Sequence, residues 1–184
     1  HDILRKYNKK IFMMYNSLEL IDLIKNRNYK FEIHQHDALF TVEDSKNLRG
    51  KISGAHTKNL FLKNKKDEYF LLTCEETDKI ELKKISKSLG FGNISFAKEE
   101  RLDQYLKIKP GSVSPFALLN DESHIVNFYL EQTLYESDYV NFHPLINTLT
   151  ITIETHQFIE FMIENNKKIH IFSSMQGKVL KTYG

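Results

Sequence analysis

Hydrophobic positions alternate with polar ones along parts of this chain and recur every three to four residues along others. Asn59 to Lys63 and Glu68 to Cys74 crowd Leu, Phe and Tyr into two short runs, and Asn64-Lys65-Lys66-Asp67 between them is turn chemistry, so the pair predicts a hairpin. "YKFEIHQ" alternates Tyr29, Phe31 and Ile33, and "NTLTITI" (147–153) is β-branched and alternating; both read as strands. "NISFA" (93–97) reads as a short strand and "KIHIF" (168–172) as a last one. "FALLN" and "HIVNFYL", parted by Asp121-Glu122, predict a second hairpin.

The helical signals lie between these runs. Asn16 with Glu19 three residues on forms a capping box ahead of "SLELIDLIKN" (17–26). "TVEDSKNL" (41–48) opens on a Thr cap with an acid downstream. "IELKKISKSLG" closes on Gly90, a suitable residue just past a helix end, and "KEERLDQYLKI" stops before Pro110. "THQFIEFMIENN" (155–166) is amphipathic. Strands and helices interleaved in this way, with hairpins among them, predict an α/β protein with a mixed sheet. At 184 residues the chain is read as one domain, 16–172, with a charged lead-in (1–15) and a weakly specified tail or linker start (173–184).

Composition narrows the function classes. A hydrophobic share of 41% with 12% aromatics supplies a core and excludes wholesale disorder. Lys+Arg 26 against Asp+Glu 24 leaves +2, which excludes a protein that coats nucleic acid, so any such contact should be small and local, and DNA is not expected as a partner. A single cysteine, Cys74 at the end of an apolar run, rules out an internal disulfide and is read as a buried structural thiol. No run approaches the ~20 apolar residues of a membrane span, and no secretory signal is visible, so a cytoplasmic protein without a membrane partner is expected.

Common catalytic signatures are missing: no phosphate-binding glycine loop, no dinucleotide fingerprint, no nucleophile elbow and no paired-histidine zinc motif. His34 and His36 have a spacing that can hold metal, but no further ligand signal accompanies them; a solvated pair is the better reading, and neither metal nor other cofactor is expected. Three segments stand out. "GAHTKNLFL" crowds Gly54, His56, Thr57, Lys58 and Asn59 onto a strand entrance. Alternation puts Lys58 on the face of Leu60 and Leu62, an ammonium at the rim of an apolar surface. "KPGSVSPF" (109–116) makes a tight turn at Pro110-Gly111 and leaves backbone N–H groups facing outward, a weak anion or oxyanion site. In "YVNFHPLINT" (139–148), His143 precedes Pro144 and is held extended by it. Each is by itself more often a turn, a satisfied histidine or a surface lysine; together they describe a polar pocket.

With "GAHTKNLFLK", "ISFAKEERL", "GSVSPFAL" and "NFHPLINT" in this order and spacing, the sequence resembles the YbaK/ProX aminoacyl-tRNA deacylases from about Leu18 to Ile163, most specifically in "HTKNLFL" and "NFHPLIN". It is most similar to the branch that clears alanine mischarged onto proline tRNA (the ProXp-ala, or PrdX-like, branch); the family's "GSVTPF" is "GSVSPF" here, which keeps a hydroxyl. The resemblance implies a partly barrel-like mixed sheet flanked by helices, and hydrolysis of Ala-tRNA(Pro) at the acceptor end. It also implies a prolyl-tRNA synthetase as partner, fused or in trans; the His1 start fits a domain cut from such a synthetase.

By matching motif, Lys58, Asn59 and His143 are the implied catalytic residues. His56, Thr57, Gly111, Ser112, Val113, Ser114, Pro115 and Asn147 are the implied substrate-binding set. Lys58 would hold the terminal phosphate or the oxyanion, Asn59 the amine or carbonyl, and His143 the attacking water or ribose hydroxyl. Backbone donors at Gly111 to Ser114 would face the oxyanion. The leucines beside Lys58 would line the amino-acid pocket, with Lys63, Lys65 and Lys66 touching tRNA near its mouth. Asn59, one residue on, should leave the strand on the other face. The alternative is a non-catalytic module of the same fold that binds tRNA ends or synthetases.

Overall fold

The computed structural model describes residues 15–39 and 42–184. The lead-in thus lies outside the described residues except for Tyr15, and so does Thr41, the cap expected for the second helix. Asn16 does form the capping box: its side chain accepts from Glu19 N–H at 3.0 Å and its own N–H donates to Glu19 at 2.9 Å. This starts α1 (Ser17–Lys25), which buries Leu20, Ile21 and Ile24. β1 (Phe31–Gln35) and α2 (Val42–Arg49) follow.

The predicted hairpin is β2 (Ala55–Asn64) against β3 (Tyr69–Glu75), antiparallel with Lys58 opposite Cys74 and Asn59 opposite Thr73. Asn64 makes the turn: its side-chain Oδ1 takes the N–H groups of Lys66 (2.9 Å) and Glu68 (3.0 Å), and Asp67 adopts φ 56°. α3 (Leu82–Leu89) ends on Gly90 in the left-handed region at φ 71°, where a side chain would be strained. β4 (Ile94–Phe96) and α4 (Glu99–Leu106) complete the first half.

"FALLN" is no strand but the 3₁₀ helix Pro115–Asn120, so the second hairpin does not exist. Pro115 sits at the first position with its φ already suitable, Ser114 caps the N–H of Phe116 at 3.2 Å, and Pro115 to Leu119 are all buried. Asp121, expected at a hairpin tip, instead accepts the N–H groups of Ile125 (3.0 Å) and Val126 (2.7 Å) and launches β5 (Val126–Glu131). A short α5 (Gln132–Tyr135), β6 (Tyr139–Phe142), β7 (Leu149–Glu154) and α6 (Thr155–Glu164) lead to β8 (Ile169–Ser173). β8 is not last: Lys178–Tyr183 of the supposed tail is β9, antiparallel to β8.

The sheet order is β1-β7-β6-β2-β3-β5-β8-β9, with β4 on β2. Parallel pairs (β2/β6, β3/β5, β5/β8) mix with antiparallel ones, as the α/β reading requires. β2 changes neighbours along one edge, pairing first with β6 at Ala55 and His56 and later with β4 at Leu62 to Asn64. One core takes Ile151 and Ile153 from one end of the sheet and Ile169 and Ile171 from the other, around Phe116, Phe158 and Phe161. A sheet whose distant strands face one core is curled, the partly barrel-like form that was expected. A second, smaller core lies on the opposite face under α3 and holds Leu62, Phe70, Leu72, Cys74, Ile85 and Phe91. β3 is therefore covered on both sides, which explains its unbroken apolar run.

Candidate active site

Two clamps position the entrance of β2. Gly54, at φ 92°, lies so near β6 that a Cβ there would meet Asn141 Nδ2 and Tyr139 Cβ at 3.1 Å. Asn141, buried on β6, donates through Nδ2 to the carbonyls of Ser53 (3.0 Å) and Ala55 (3.2 Å) and accepts the Thr152 hydroxyl at 2.5 Å. The Thr57 hydroxyl donates to Asn141 O at 2.8 Å, and His56 Nε2 donates to Ile52 O at 2.9 Å.

Beside this entrance is a small cleft of about 50 Å³. His56, Thr57 and Asn59 line one wall, Asn141 and His143 another, and Ser45 and Leu48 of α2 cover it. Glu76 is the lining carboxylate among the described residues and takes the Ser45 hydroxyl. Asn59 is oriented by Thr73, whose hydroxyl donates to its side-chain oxygen at 2.6 Å. His143 donates from Nδ1 to Leu149 O at 2.8 Å, which leaves Nε2 as the acceptor. Burial pushes the His143 pKa down, the neighbouring His36 adds to that, and the Leu149 bond and Glu76 act the other way. His36, with its ring 5.9 Å from that of His143, donates from Nδ1 to Asp37 O and accepts the Thr150 hydroxyl at Nε2, each at 2.8 Å. His34 instead sits 3.4 Å from Glu32, so the two histidines do not converge. Among the described residues no group of three or more His, Cys, Asp or Glu forms a ligand set.

Lys58 does not line this cleft. It leaves β2 on the α3 side, where its ammonium donates to the carbonyl of Asp78. Asp78 has its carboxyl pKa raised by burial and by the nearby Glu131 and Glu75, and Lys58 acts in the opposite sense. The leucines beside Lys58 do not line this cleft either: Leu62 is fully buried and Leu60 packs against the same small core, on which Ile85 of α3 also packs. The hairpin lysines are also displaced. β2 carries them away from the cleft: at ~3.3 Å per residue, Lys63 lies roughly 13 Å along the strand from Asn59 and Lys65 roughly 20 Å. Lys63 pairs there with Asp67 at 3.0 Å.

The 111–115 segment meets the site through the loop after His143. A Cβ on Gly111 (φ 86°) would lie 3.6 Å from Asn147 Nδ2, but none of these residues lines the cleft. Ser112 N–H already donates to Lys109 O at 3.2 Å. Ser114 and Pro115 are buried in starting the 3₁₀ helix, and Val113 packs at the edge of the main core. The residues that sequence reasoning passed over are Thr73, Glu76, Ser45 and Asn141. Each is brought in by tertiary contact, and only Asn141 stood inside a segment already singled out.

The fold has counterparts among known proteins. A model of the aminoacyl-tRNA editing domain matches residues 36–161, and the chain belongs to that family. It is 31% identical over 137 residues to "Prolyl-tRNA editing protein ProX" of Acetoanaerobium sticklandii, covering 74% of this chain and 83% of that protein. It is 36% identical over 136 residues to "Prolyl-tRNA synthetase associated domain-containing protein 1" of Bos taurus, covering 71% and 79%. A solved structure described as a "putative trans-editing enzyme for prolyl tRNA synthetase" shares the fold at 14% identity, with a TM-score of 0.61 over 85% of this chain and 96% of that one. No helix among the described residues is long and apolar enough to cross a membrane.

Proposed function

We propose that this chain is a cytoplasmic aminoacyl-tRNA deacylase that edits mischarged prolyl-tRNA, with alanine on tRNA(Pro) as substrate. The observation that carries the reading is the size and lining of the cleft: about 50 Å³ walled by Thr57, Asn59, Glu76 and His143, within an editing-domain fold. A proline site excludes the smaller alanine poorly, because a few methylenes differ by only ~1–3 kcal/mol in binding. A second site that takes a methyl and excludes a pyrrolidine ring by size restores the discrimination.

The ester is already activated, so positioning and charge stabilisation are sufficient. Water adds to the carbonyl carbon, its proton moving toward His143 Nε2 or the vicinal ribose hydroxyl. The resulting oxyanion collapses, the C–O bond to ribose breaks, and the ribose oxygen takes up a proton, leaving free alanine and tRNA. Asn59, oriented by Thr73, receives the amine or carbonyl of the aminoacyl group. The Gly111 turn, beside Asn147 and outside the cleft lining, is assigned to the oxyanion by its motif, with the Ser112 N–H already committed to Lys109 O. Lys58, on the far face of β2, is assigned to the phosphate of the terminal nucleotide.

Deacylation of Ala-tRNA(Pro) and Pro-tRNA(Pro), compared for wild type and Lys58→Ala, tests this. Loss of alanine alone, abolished in a folded Lys58→Ala protein, is the expected result. If Ala-tRNA(Pro) and other mischarged prolyl-tRNAs all stay intact with wild type, the deacylase reading falls and a binding module replaces it.

A further inference from the structure

Away from the cleft, the positive charge of the chain is unevenly distributed. Between residues 79 and 98 stand Lys79, Lys83, Lys84, Lys87 and Lys98, against the single acid Glu81. All five lysines are exposed. α3 turns Ile85 inward onto the smaller core, and at 3.6 residues per turn Lys83, Lys84 and Lys87 share an outward arc of about 100°. Among the described residues none of the three has an ion-pair partner, whereas Lys63 is paired with Asp67. Like charges four apart weaken a helix, so Lys83 and Lys87 side by side are a cost to α3 by itself. An anionic partner would remove that cost.

The end of α3 supplies a place for one. Lys83, Lys87, Gly90, Gly92 and Asn93 line an open groove of about 660 Å³. Gly90 and Gly92 both have positive φ, and a Cβ on either would meet nothing within 4 Å, so this backbone is bare to solvent. The hairpin turn with exposed Lys65 and Lys66 is tied to the same loop, since Asn64 Nδ2 donates to Phe91 O at 3.0 Å. Phe96 is 62% exposed and shares its face of β4 with Ile94, which lines the groove. Exposed aromatics among lysines suit a polyanion whose bases or sugars can stack. The other end of α3 follows Asp78, the residue that holds Lys58. The basic track therefore leads from the hairpin turn to the reverse side of the cleft entrance.

We infer that the lysine face of α3 and the groove at its end hold the sugar–phosphate backbone of an RNA, with Phe96 against a base or ribose. The inference rests on the tRNA reading above and locates the helical part of that substrate. A chain of near-neutral charge can bind RNA in this way because the contact is local, with three or four phosphates met by unpaired lysines.

The test is binding of uncharged tRNA(Pro) against KCl concentration, by fluorescence anisotropy, for wild type and for the triple variant Lys83→Gln, Lys84→Gln, Lys87→Gln. Affinity near 0.15 M salt should fall roughly tenfold or more, and the slope of log K against log salt should become shallower by about 2 to 3. In parallel, kcat/KM should fall on Ala-tRNA(Pro) but not on alanine esterified to the trinucleotide CCA, which is too short to reach the groove. Unchanged affinity and slope overturn the inference, as do equal losses on tRNA and trinucleotide. Lys87→Gln alone, expected to change the slope by about one, keeps the test available if the triple variant fails to fold. If wild type cleaves neither ester yet binds tRNA through these lysines, the surface stands and the deacylase reading falls.

Discussion

Lys58 and Asn59, adjacent in the chain, leave β2 on opposite faces: Lys58 donates to Asp78 O beneath α3, while Asn59 accepts the Thr73 hydroxyl at the cleft. Substituting one therefore should not reproduce the other. Asn59→Ala strands the hydroxyl of fully buried Thr73, at a cost of about 1–3 kcal/mol, or a Tm lower by roughly 2–12 °C. Lys58→Ala frees only a carbonyl near the surface and should leave Tm almost unchanged. Both should lose deacylation. Calorimetry beside single-turnover hydrolysis checks the pair, and a large fall in Tm for Lys58→Ala with none for Asn59→Ala would contradict the two-face arrangement.

His143 bears on pH. Its pKa is held below the ordinary value of ~6.5, chiefly by burial, so between the folded and unfolded values the unfolded chain binds more protons. The stability it contributes is present above ~6.5 and is lost as pH falls through the folded pKa. The neutral ring with Nε2 open also persists into mild acid. The acidic limb of the pH profile of kcat/KM should have its midpoint below ~6.5, and His143→Gln should remove that limb. The urea midpoint of wild type should fall more steeply below pH 6.5 than that of His143→Gln.

Gly54→Ala should harm both fold and activity. The new methyl would press on Tyr139 Cβ and Asn141 Nδ2 at 3.1 Å, at a φ of 92° that L side chains rarely adopt. A loss of at least ~1–2 kcal/mol is expected from the backbone alone. Because Asn141 holds Ser53 and Ala55, the shift passes directly to His56 and Thr57, and deacylation should fall further than stability. Thermal melts and kcat/KM measured on the same preparation separate the two effects.

Phe116 is the hinge between the 3₁₀ helix and the main core. It is fully buried and packs edge-on against Phe142, Phe158 and Phe161 at 5.8, 5.6 and 5.9 Å. Phe116→Ala should cost about 3–5 kcal/mol in urea unfolding, and Phe116→Leu less than half of that. Equal losses for the two would mean that the cavity is not what sets the cost.

Cys74 should be chemically silent. It has no exposure, and burial pushes its thiol pKa up to about 12 despite the nearby Lys58. Alkylating reagents at pH 8 should leave the native protein unlabelled and active, and should label it once in denaturant. Rapid native labelling with loss of activity would assign the thiol a role that the structure does not give it.

What the sequence by itself determined is what short-range chemistry controls. The capping box at Asn16, the Asn64 turn, the left-handed stop at Gly90 and the alternation that parts Lys58 from Asn59 depend on residues within a turn or two of one another. The strand-entrance residues His56 to Asn59 likewise stand in one short motif. Tertiary structure decided the rest. A buried run such as Phe116 to Leu119 has no period to read, so only its surroundings make it a 3₁₀ helix. Lys178 to Tyr183 has almost no buried side chain, and it is a strand because β8 offers it an open edge. The leucine face of β2 would be a pocket wall without α3 and is a closed core with it. Asn141, whose partners lie up to 88 residues away, shows why the clamp could not be read locally: its meaning is set by the strands that folding brings beside it.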